Sequence, residues 1–140
     1  MKHYHPFVQQ MFSLNRDDSL LIGVSPGSGH ITRLSVEAGV NVFFAFSAGT
    51  YRTAGVTSLA SLLSYGNAND QTEHLLRKHI LPNKGNVPIA AGLMPVDPII
   101  PIKERLLRLK ELGIGGIVNW PATGLFDGVL KELMEIDGYT

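Results

Sequence analysis

The stretch Asn41-Val42-Phe43-Phe44-Ala45-Phe46 decides the fold class of this 140-residue chain. Its continuous apolar run is typical of a strand that is buried on both faces in a parallel sheet. The segment that follows, 47–69, is polar and punctuated by glycine. Proteins of the α/β class bind ligands where buried parallel strands end in such segments. The run therefore indicates an α/β fold, with candidate functional residues directly after it.

Working outward from this strand, the same alternation of apolar runs and helical patterns recurs along the chain. The patterns predict further strands over 19–24, 87–93 and 115–120, a long loop from 47, a short helix over 58–64, and longer helices over 6–14, 30–38, 69–80, 102–112 and 124–136. Four βα units in succession predict a parallel sheet with right-handed crossovers. Two architectures fit this pattern: a small open doubly wound sheet, or half of an eight-stranded barrel.

Composition limits the classes of function. Twelve basic and twelve acidic residues cancel, so the chain gives no electrostatic argument for binding nucleic acid or a membrane surface. There is no cysteine, which excludes disulfides and thiolate zinc sites. No apolar segment is long enough to span a bilayer, and the first residues lack a signal-peptide pattern. We expect one cytoplasmic domain, with an N-terminal helical segment over 1–18 and four βα units over 19–140.

Polar groups that suit anion recognition follow the first two strands. Gly27, Ser28 and Gly29 open the first crossover helix, where backbone amides can bind a phosphate or carboxylate. After the second strand, the Ser47 hydroxyl and the Gly49 amide can donate to an anion, and Arg52 can add a bidentate contact. The alternative is structural: the glycines form a tight turn, and Arg52 pairs with a carboxylate. The length and polarity of the second segment favour a functional role.

Two further candidates follow the third and fourth strands. Asp97 lies between Pro95 and Pro98, and a carboxylate in such a rigid loop can bind a divalent ion or accept a proton. It can equally be a turn-forming aspartate. Asn119 ends the fourth strand and is a candidate hydrogen-bond partner for a reacting group, with Trp120 as pocket wall or core. The histidines form no metal-binding pattern.

Four sequence strings resemble one known family, the phosphoenolpyruvate hydrolase-like proteins, which are TIM-barrel enzymes grouped with the phosphoenolpyruvate mutase and isocitrate lyase superfamily. The strings are Ile22-Gly-Val-Ser-Pro-Gly-Ser-Gly29, Ser47-Ala-Gly-Thr-Tyr-Arg52, Ser58-Leu-Ala-Ser-Leu-Leu-Ser-Tyr-Gly-Asn-Ala-Asn69 and Asn119-Trp-Pro-Ala-Thr-Gly-Leu-Phe-Asp-Gly128. The Tyr51-Arg52 pair is among the most specific parts. The resemblance covers the chain from about residue 20 onward and matches the N-terminal half of the family's barrel.

The resemblance implies an enzyme that acts on a small phosphorylated or pyruvate-like oxyacid, as a hydrolase or a lyase. Tyr51, Arg52 and the glycine turn would bind the anion, and Ser47 and Gly49 would contact the substrate oxygens. Asp97 would hold Mg²⁺ or move a proton, and Asn119 would orient the reacting group. The other hypothesis is a non-catalytic binding or regulatory module.

A half-barrel also predicts a partner. Its first and fourth strands would have unpaired edges, and the apolar interior of its sheet would be exposed. We therefore expect a homo-oligomer, or association with a partner half-barrel.

Overall fold

The computed structural model of the protein describes residues 4–14 and 20–139. The helices and strands, in chain order, are α1 (Pro6–Leu14), β1 (Gly23–Val24), α2 (Gly29–Glu37), β2 (Val42–Ala45), α3 (Ser47–Thr53), α4 (Ala68–Leu75), β3 (Ile89–Leu93), α5 (Ile102–Glu111), β4 (Gly116–Asn119) and α6 (Gly128–Ile136). A 3₁₀ segment, Ser58–Leu62, follows α3, and a π-helical turn, Leu76–Ile80, extends α4.

The four strands form one parallel sheet in the order β1-β2-β3-β4. Phe43 of β2 lies beside Ile89 of β3, and Gly92 of β3 lies beside Val118 of β4. Sequential parallel neighbours with a helical connection between each pair are the arrangement of one half of a (βα)₈ barrel. The α/β class and the (βα)₄ unit predicted from the sequence are confirmed.

Side chains alternate between the two faces of the sheet, and one face carries the core. Phe43, Ala45, Ile89, Ala91 and Leu93 pack against the helices in a cluster that also includes Leu75, Leu76, Ile80 and Leu109. This is the outer face of the half-barrel. Because successive strand residues point to opposite sides, the residues between them form the inner face.

The inner face is aromatic. The rings of Phe44 and Phe46 stack with their centroids 6.0 Å apart, and Trp120 lies 5.7 Å from Phe46. Gly92 makes room for them, since a Cβ on this residue would lie 2.6 Å from the Phe46 ring. At the other end of the sheet, Phe7 of α1 packs closely on Gly115 at the start of β4. The described half-barrel therefore has an aromatic inner wall, and Phe7 covers Gly115 next to β4.

The predicted loop after β2 is wrong, because the structure has a helix there. Residues 47–53, which lack an apolar helical repeat, form α3 instead. Ser47, Ala48 and Gly49 are all buried. Their small side chains allow the first turn of α3 to pack closely against neighbouring backbone, so tertiary contact replaces an apolar stripe as the reason for the helix.

Other element boundaries also differ from the sequence patterns. Helix α4 begins at Ala68, because the Asn67 side chain accepts from the amides of Asn69 and Asp70 and acts as the N-cap. Helix α6 begins at Gly128, after a 3₁₀ turn. The strands are shorter than expected, and residue 19 of the first predicted strand lies outside the described residues.

The last unit departs most from the regular pattern. Helix α6 has no buried residue, and Ile117 on the outer face of β4 remains 44% exposed. In α5, Leu109 is buried, whereas Leu106 is exposed and Arg105 takes a buried position in its place. Arg105 is tolerated at this buried position because its guanidinium pairs with three carboxylates.

Gly27 and Gly49 bring the loop after β1 into backbone contact with α3. A Cβ on Gly27 would overlap the Gly49 carbonyl oxygen and the Thr53 hydroxyl, and a Cβ on Gly49 would lie 2.7 Å from the Pro26 carbonyl oxygen. Thr53 donates to the same Gly49 carbonyl at 3.0 Å, which holds that group in place. Only glycine fits at this contact.

We predict that Gly27→Ala lowers the free energy of unfolding by about 1–3 kcal/mol, because the added methyl group meets backbone that cannot move aside. Urea unfolding followed by circular dichroism measures the change. Gly124→Ala is the matched control, since a Cβ there meets nothing within 4 Å. Equal stability of the Gly27→Ala variant and the wild type would contradict the close contact.

Candidate functional site

The turn between β1 and α2 presents a row of free backbone amides. Ser28 is the N-cap of α2, and its hydroxyl accepts from the Ile31 amide at 3.3 Å. The amides of residues 27–30 have no hydrogen-bond acceptor among the described residues. Gly29 packs against Asn83, whose Nδ2 would lie 2.8 Å from an added Cβ. Gly27, Ser28 and Gly29 thus have structural roles, yet their amides remain available to an anion.

Arg52 joins the loops that follow β1 and α3. Its Nη2 donates to the Ser25 carbonyl at 2.9 Å and to the Ser25 hydroxyl at 2.8 Å, and its Nη1 donates to the Ser58 hydroxyl at 3.1 Å. The side chain is exposed, and within residues 4–14 and 20–139 it pairs with no carboxylate. The positive charge is held in place without being neutralised.

Ser47 and Tyr51 lie on the same helix as Arg52. Ser47 is fully buried, and its hydroxyl has no hydrogen-bond partner in the described part of the chain. Tyr51 is half-buried, with its ring centroid 6.1 Å from that of Tyr65. The structure therefore gathers Gly27, Ser47, Gly49, Tyr51 and Arg52 around α3 and the turn before α2. A buried hydroxyl without a partner is costly, so a ligand that reached Ser47 would relieve that cost.

Asp97 lies apart from this group, in a fully saturated hydrogen-bond network. Its Oδ1 accepts from Asn67 at 3.2 Å and from the amides of Ile99 and Ile100 at 3.0 Å each. Its Oδ2 accepts from Asn69 at 3.0 Å and from Arg105 Nε at 2.8 Å. The carboxylate is fully buried. These five donors occupy the acceptor sites that a metal ion or a proton would need.

The network determines the protonation of Asp97. Burial alone would raise the pKa of this carboxyl group, but the hydrogen bonds from Asn69, Ile100, Ile99 and Arg105 outweigh it and hold the pKa well below its usual range. An acid with a strongly lowered pKa is a poor proton acceptor near neutral pH. The geometry thus favours a structural role for Asp97 over the roles expected from its sequence position.

Arg105, which the sequence patterns did not single out, is the centre of this network. It pairs with Asp97 at 2.8 Å, with Asp70 at 2.5 Å and with Glu73 at 3.4 Å, and its own side chain is only 2% exposed. Burial lowers its pKa, but the pairing with Asp70 and Asp97 raises it above its ordinary value. An arginine on the apolar stripe of a predicted helix, four residues before Leu109, is the signal that could have identified it.

Asn119 and Trp120 end β4 on different faces. Asn119 pairs in register with Leu93, an outer-face residue, and is exposed. Trp120 contacts Phe46 on the inner face, and its buried Nε1 has no hydrogen-bond partner among the described residues. The structure does not bring Asn119 together with the residues around Arg52.

The sequence profile of the phosphoenolpyruvate hydrolase-like family matches residues 7–140, which is nearly the whole chain. The chain belongs to this family. The predicted resemblance is confirmed, and the half-barrel is a unit of a TIM-barrel protein family.

Relatives of this family member are much longer than the chain itself. The ToMV resistance protein Tm-1(GCR237) of Solanum lycopersicum is 31% identical over 118 residues, which are 84% of this chain and 16% of the relative. The ToMV susceptible protein tm-1(GCR26) of the same plant matches equally. A putative transcriptional regulatory protein, y4pA of Sinorhizobium fredii, is 31% identical over 123 residues, 88% of this chain and 20% of the relative. The chain thus spans about a fifth of these relatives or less.

The described residues do not fit the magnesium site that the resemblance implies. They contain no group of three or more His, Cys, Asp or Glu side chains that could hold a metal ion. Asp97, the expected ligand, is saturated by donors. The described residues of this family member therefore offer no ready ligand set for Mg²⁺. In addition, none of its described helices is both long and apolar enough to cross a membrane.

We predict that Asp97→Asn lowers the free energy of unfolding by about 3 kcal/mol at pH 7. The substituted side chain lacks the charge that faces buried Arg105. Its NH₂ group also faces hydrogen-bond donors, with which it cannot form a hydrogen bond. Chemical denaturation measures the loss, and Asp137→Asn, an exposed position, should change stability by less than about 0.5 kcal/mol. A loss in Asp97→Asn no larger than in this control would contradict the structural role.

The Asp97→Asn variant also tests how the free energy of unfolding depends on pH. The folded-state pKa of Asp97 lies below its unfolded value of about 3.9, so its stabilisation is complete above about pH 4 and is lost as the pH falls further. The difference in unfolding free energy between wild type and Asp97→Asn should therefore be constant from pH 7 to 5 and shrink below pH 4. A difference that grew on acidification would contradict this sign.

Proposed function

We propose that this chain forms the oxyanion-binding part of an enzyme that acts on a small phosphorylated or pyruvate-like oxyacid. The observation that carries the proposal is Arg52: an exposed guanidinium at the carboxyl end of the sheet that pairs with no carboxylate in the described residues. An uncompensated but immobilised arginine is suited to recognition of a carboxylate or phosphate through its charge and its remaining N–H donors.

The hydrogen bonds of Arg52 leave suitable donors free. Three of its N–H groups are used on Ser25 and Ser58, so Nε–H and one Nη1–H remain of the five. The partner residue Ser25 stands two positions before Gly27, where the row of free amides begins. The amides open helix α2, whose N-terminal end adds a partial positive charge. Together these groups support binding of a small anion.

The groups expected to perform chemistry are less well placed. Asp97 is saturated by five donors, and Asn119 lies on the outer face of β4. The oxyanion-binding groups are therefore the part of the function that this chain supports best. We propose that reacting groups come from another half-barrel, which would complete the site.

We predict that phosphoenolpyruvate binds the wild-type chain and that Arg52→Ala weakens binding about tenfold to a hundredfold, because charged hydrogen bonds are lost. Isothermal titration calorimetry with phosphoenolpyruvate, repeated with oxalate, measures the effect. Arg33→Ala is the matched control, since Arg33 is an exposed arginine that faces only Glu37 at 3.9 Å.

A second control separates anion binding from loop tethering. Ser58→Ala removes the 3.1 Å bond from Arg52 but keeps the guanidinium. It should bind phosphoenolpyruvate nearly as the wild type does. Absence of binding at millimolar ligand, or equal weakening in the Arg52→Ala and Arg33→Ala variants, would contradict the proposal.

The second candidate function is association with another half-barrel, favoured by the open inner face. The rings of Phe44, Phe46 and Trp120 line this face, and β1 and β4 are the two edge strands. Before β1, Leu20 is 82% exposed and Ile22 is 51% exposed. Unpaired strand edges beside exposed apolar residues are typical of surfaces that another chain covers. The relatives are named as resistance and transcriptional regulatory proteins, which also supports a binding role.

We propose that the partner is a second copy of this chain. Two copies with four strands each supply the eight of a closed barrel, with β4 of each copy pairing with β1 of the other. Closure would satisfy both edges and bury both aromatic inner faces. It would also place groups of the second copy near the anion-binding residues.

We predict that the wild-type chain is a dimer by light scattering coupled to size-exclusion chromatography, and that Val118→Lys makes it monomeric. Val118 pairs with Gly92 on the inner face, so a charge there would be buried by closure. Ile117→Lys, one residue earlier but on the outer face, should remain dimeric. A monomeric wild type would exclude self-association, and a different half-barrel would then be the partner to test.

A further inference from the structure

A pocket of about 470 Å³ lies at the carboxyl ends of β3 and β4, on a part of the molecule that the oxyanion proposal does not use. Its volume is within the range of sites that bind small molecules. One wall is the loop after β3, with Met94, Val96, Pro98 and Ile99, and a second wall follows β4, with Pro121 and Phe126.

The pocket carries no charged side chain. None of its lining residues is Asp, Glu, Lys, Arg or His. Four carboxylates are adjacent in sequence to lining residues: Asp70 and Asp97 pair with buried Arg105, whereas Asp127 and Glu135 are exposed to solvent. A charged ligand would lose its hydration here without gaining a partner, so the pocket favours an uncharged molecule.

Three of the six polar side chains in the lining, Ser61, Asn67 and Asn69, are hydrogen-bonded to the protein. Asn69 donates to the Met94 carbonyl at 3.1 Å and accepts from the Met94 amide at 2.8 Å. Asn67 caps α4 and donates to Asp97. These bonds hold the wall rigid. The hydroxyls of Ser64, Thr123 and Tyr139 have no hydrogen-bond partner among the described residues and remain available.

The apolar surface is of a kind that accommodates aromatic rings. Met94 and Met134 present polarisable thioether chains, which contact aromatic rings favourably, and Phe126 supplies a ring. Met134 belongs to α6, which has no buried residue and is therefore free to adjust to an occupant.

We infer that this pocket is a binding site for a small uncharged aromatic molecule, separate from the oxyanion site around Arg52. The inference stands on the pocket alone and does not depend on the proposed function.

Two fluorescent probes with the same anilinonaphthalene skeleton test the charge requirement on the wild-type chain. N-phenyl-1-naphthylamine is neutral, whereas 8-anilino-1-naphthalenesulfonate carries a negative charge. We expect saturable binding of the neutral probe, with an affinity at least about tenfold higher than that of the sulfonate. Failure of the neutral probe to saturate, or equal affinity of the two probes, would overturn the inference.

Matched substitutions locate the binding. Ala122→Trp fills the pocket and should weaken binding of the neutral probe about tenfold or more. Ala54→Trp places the same ring at an exposed position after α3 and should leave binding unchanged. Circular dichroism of both variants verifies folding. Equal effects of the two substitutions would place the probe elsewhere and overturn the site.

A charge introduced at the rim gives a test that does not depend on filling the pocket. Ile99 is 77% exposed, so Ile99→Lys should fold normally. This substitution should lower the affinity for the neutral probe and raise the affinity for the sulfonate, each by several-fold. The preference of the wild type would then be reversed. Leu107→Lys, at an apolar residue of α5 that is 51% exposed and lies outside the pocket, should leave both affinities unchanged. An unchanged preference in Ile99→Lys would overturn the inference.

Discussion

The ion pair between Arg105 and Asp97 is the interaction on which the structure at the carboxyl ends of the strands depends. It joins α5 to the loop after β3, and Asn67 and Asn69 extend the connection to α4. Each buried charge has its partners, so the cost of removing it from water is offset by direct hydrogen bonds. Because the same loop forms one wall of the apolar pocket, the network also shapes that pocket. Asp97, whose sequence position is suited to catalysis, thus stabilises the loop after β3.

The two regions proposed to bind ligands have opposite chemistry. Around Arg52 the charge is uncompensated and two of its N–H groups remain free, whereas the lining of the pocket beyond β3 and β4 has no charged side chain. Both regions lie where parallel strands end, which is the face that barrel proteins use for binding. The glycine contact between Gly27 and Gly49 holds the first region, and the Arg105 network holds the second.

A half-barrel also leaves apolar surface and strand edges uncovered. The inner aromatic face and the two edge strands are features that a closed barrel would bury. Helix α6 does not cover β4, since Ile117 on the outer face remains exposed. The chain spans a fifth or less of the relatives that it matches. The proposed association with another half-barrel would bury these surfaces.

The sequence by itself determined the α/β class, the four strands, most helices and the family, because continuous apolar runs and 3.6-residue periodicity are local signals. Only the tertiary structure decided that α3 is a helix, that Arg105 is buried and that Asp97 is saturated, since these depend on partners distant in the sequence. Asp97 shows the difference: its place after β3 was readable from the pattern, whereas its five donors come from three separate segments. Residue type predicts what a side chain can do, and its neighbours in space decide what it does.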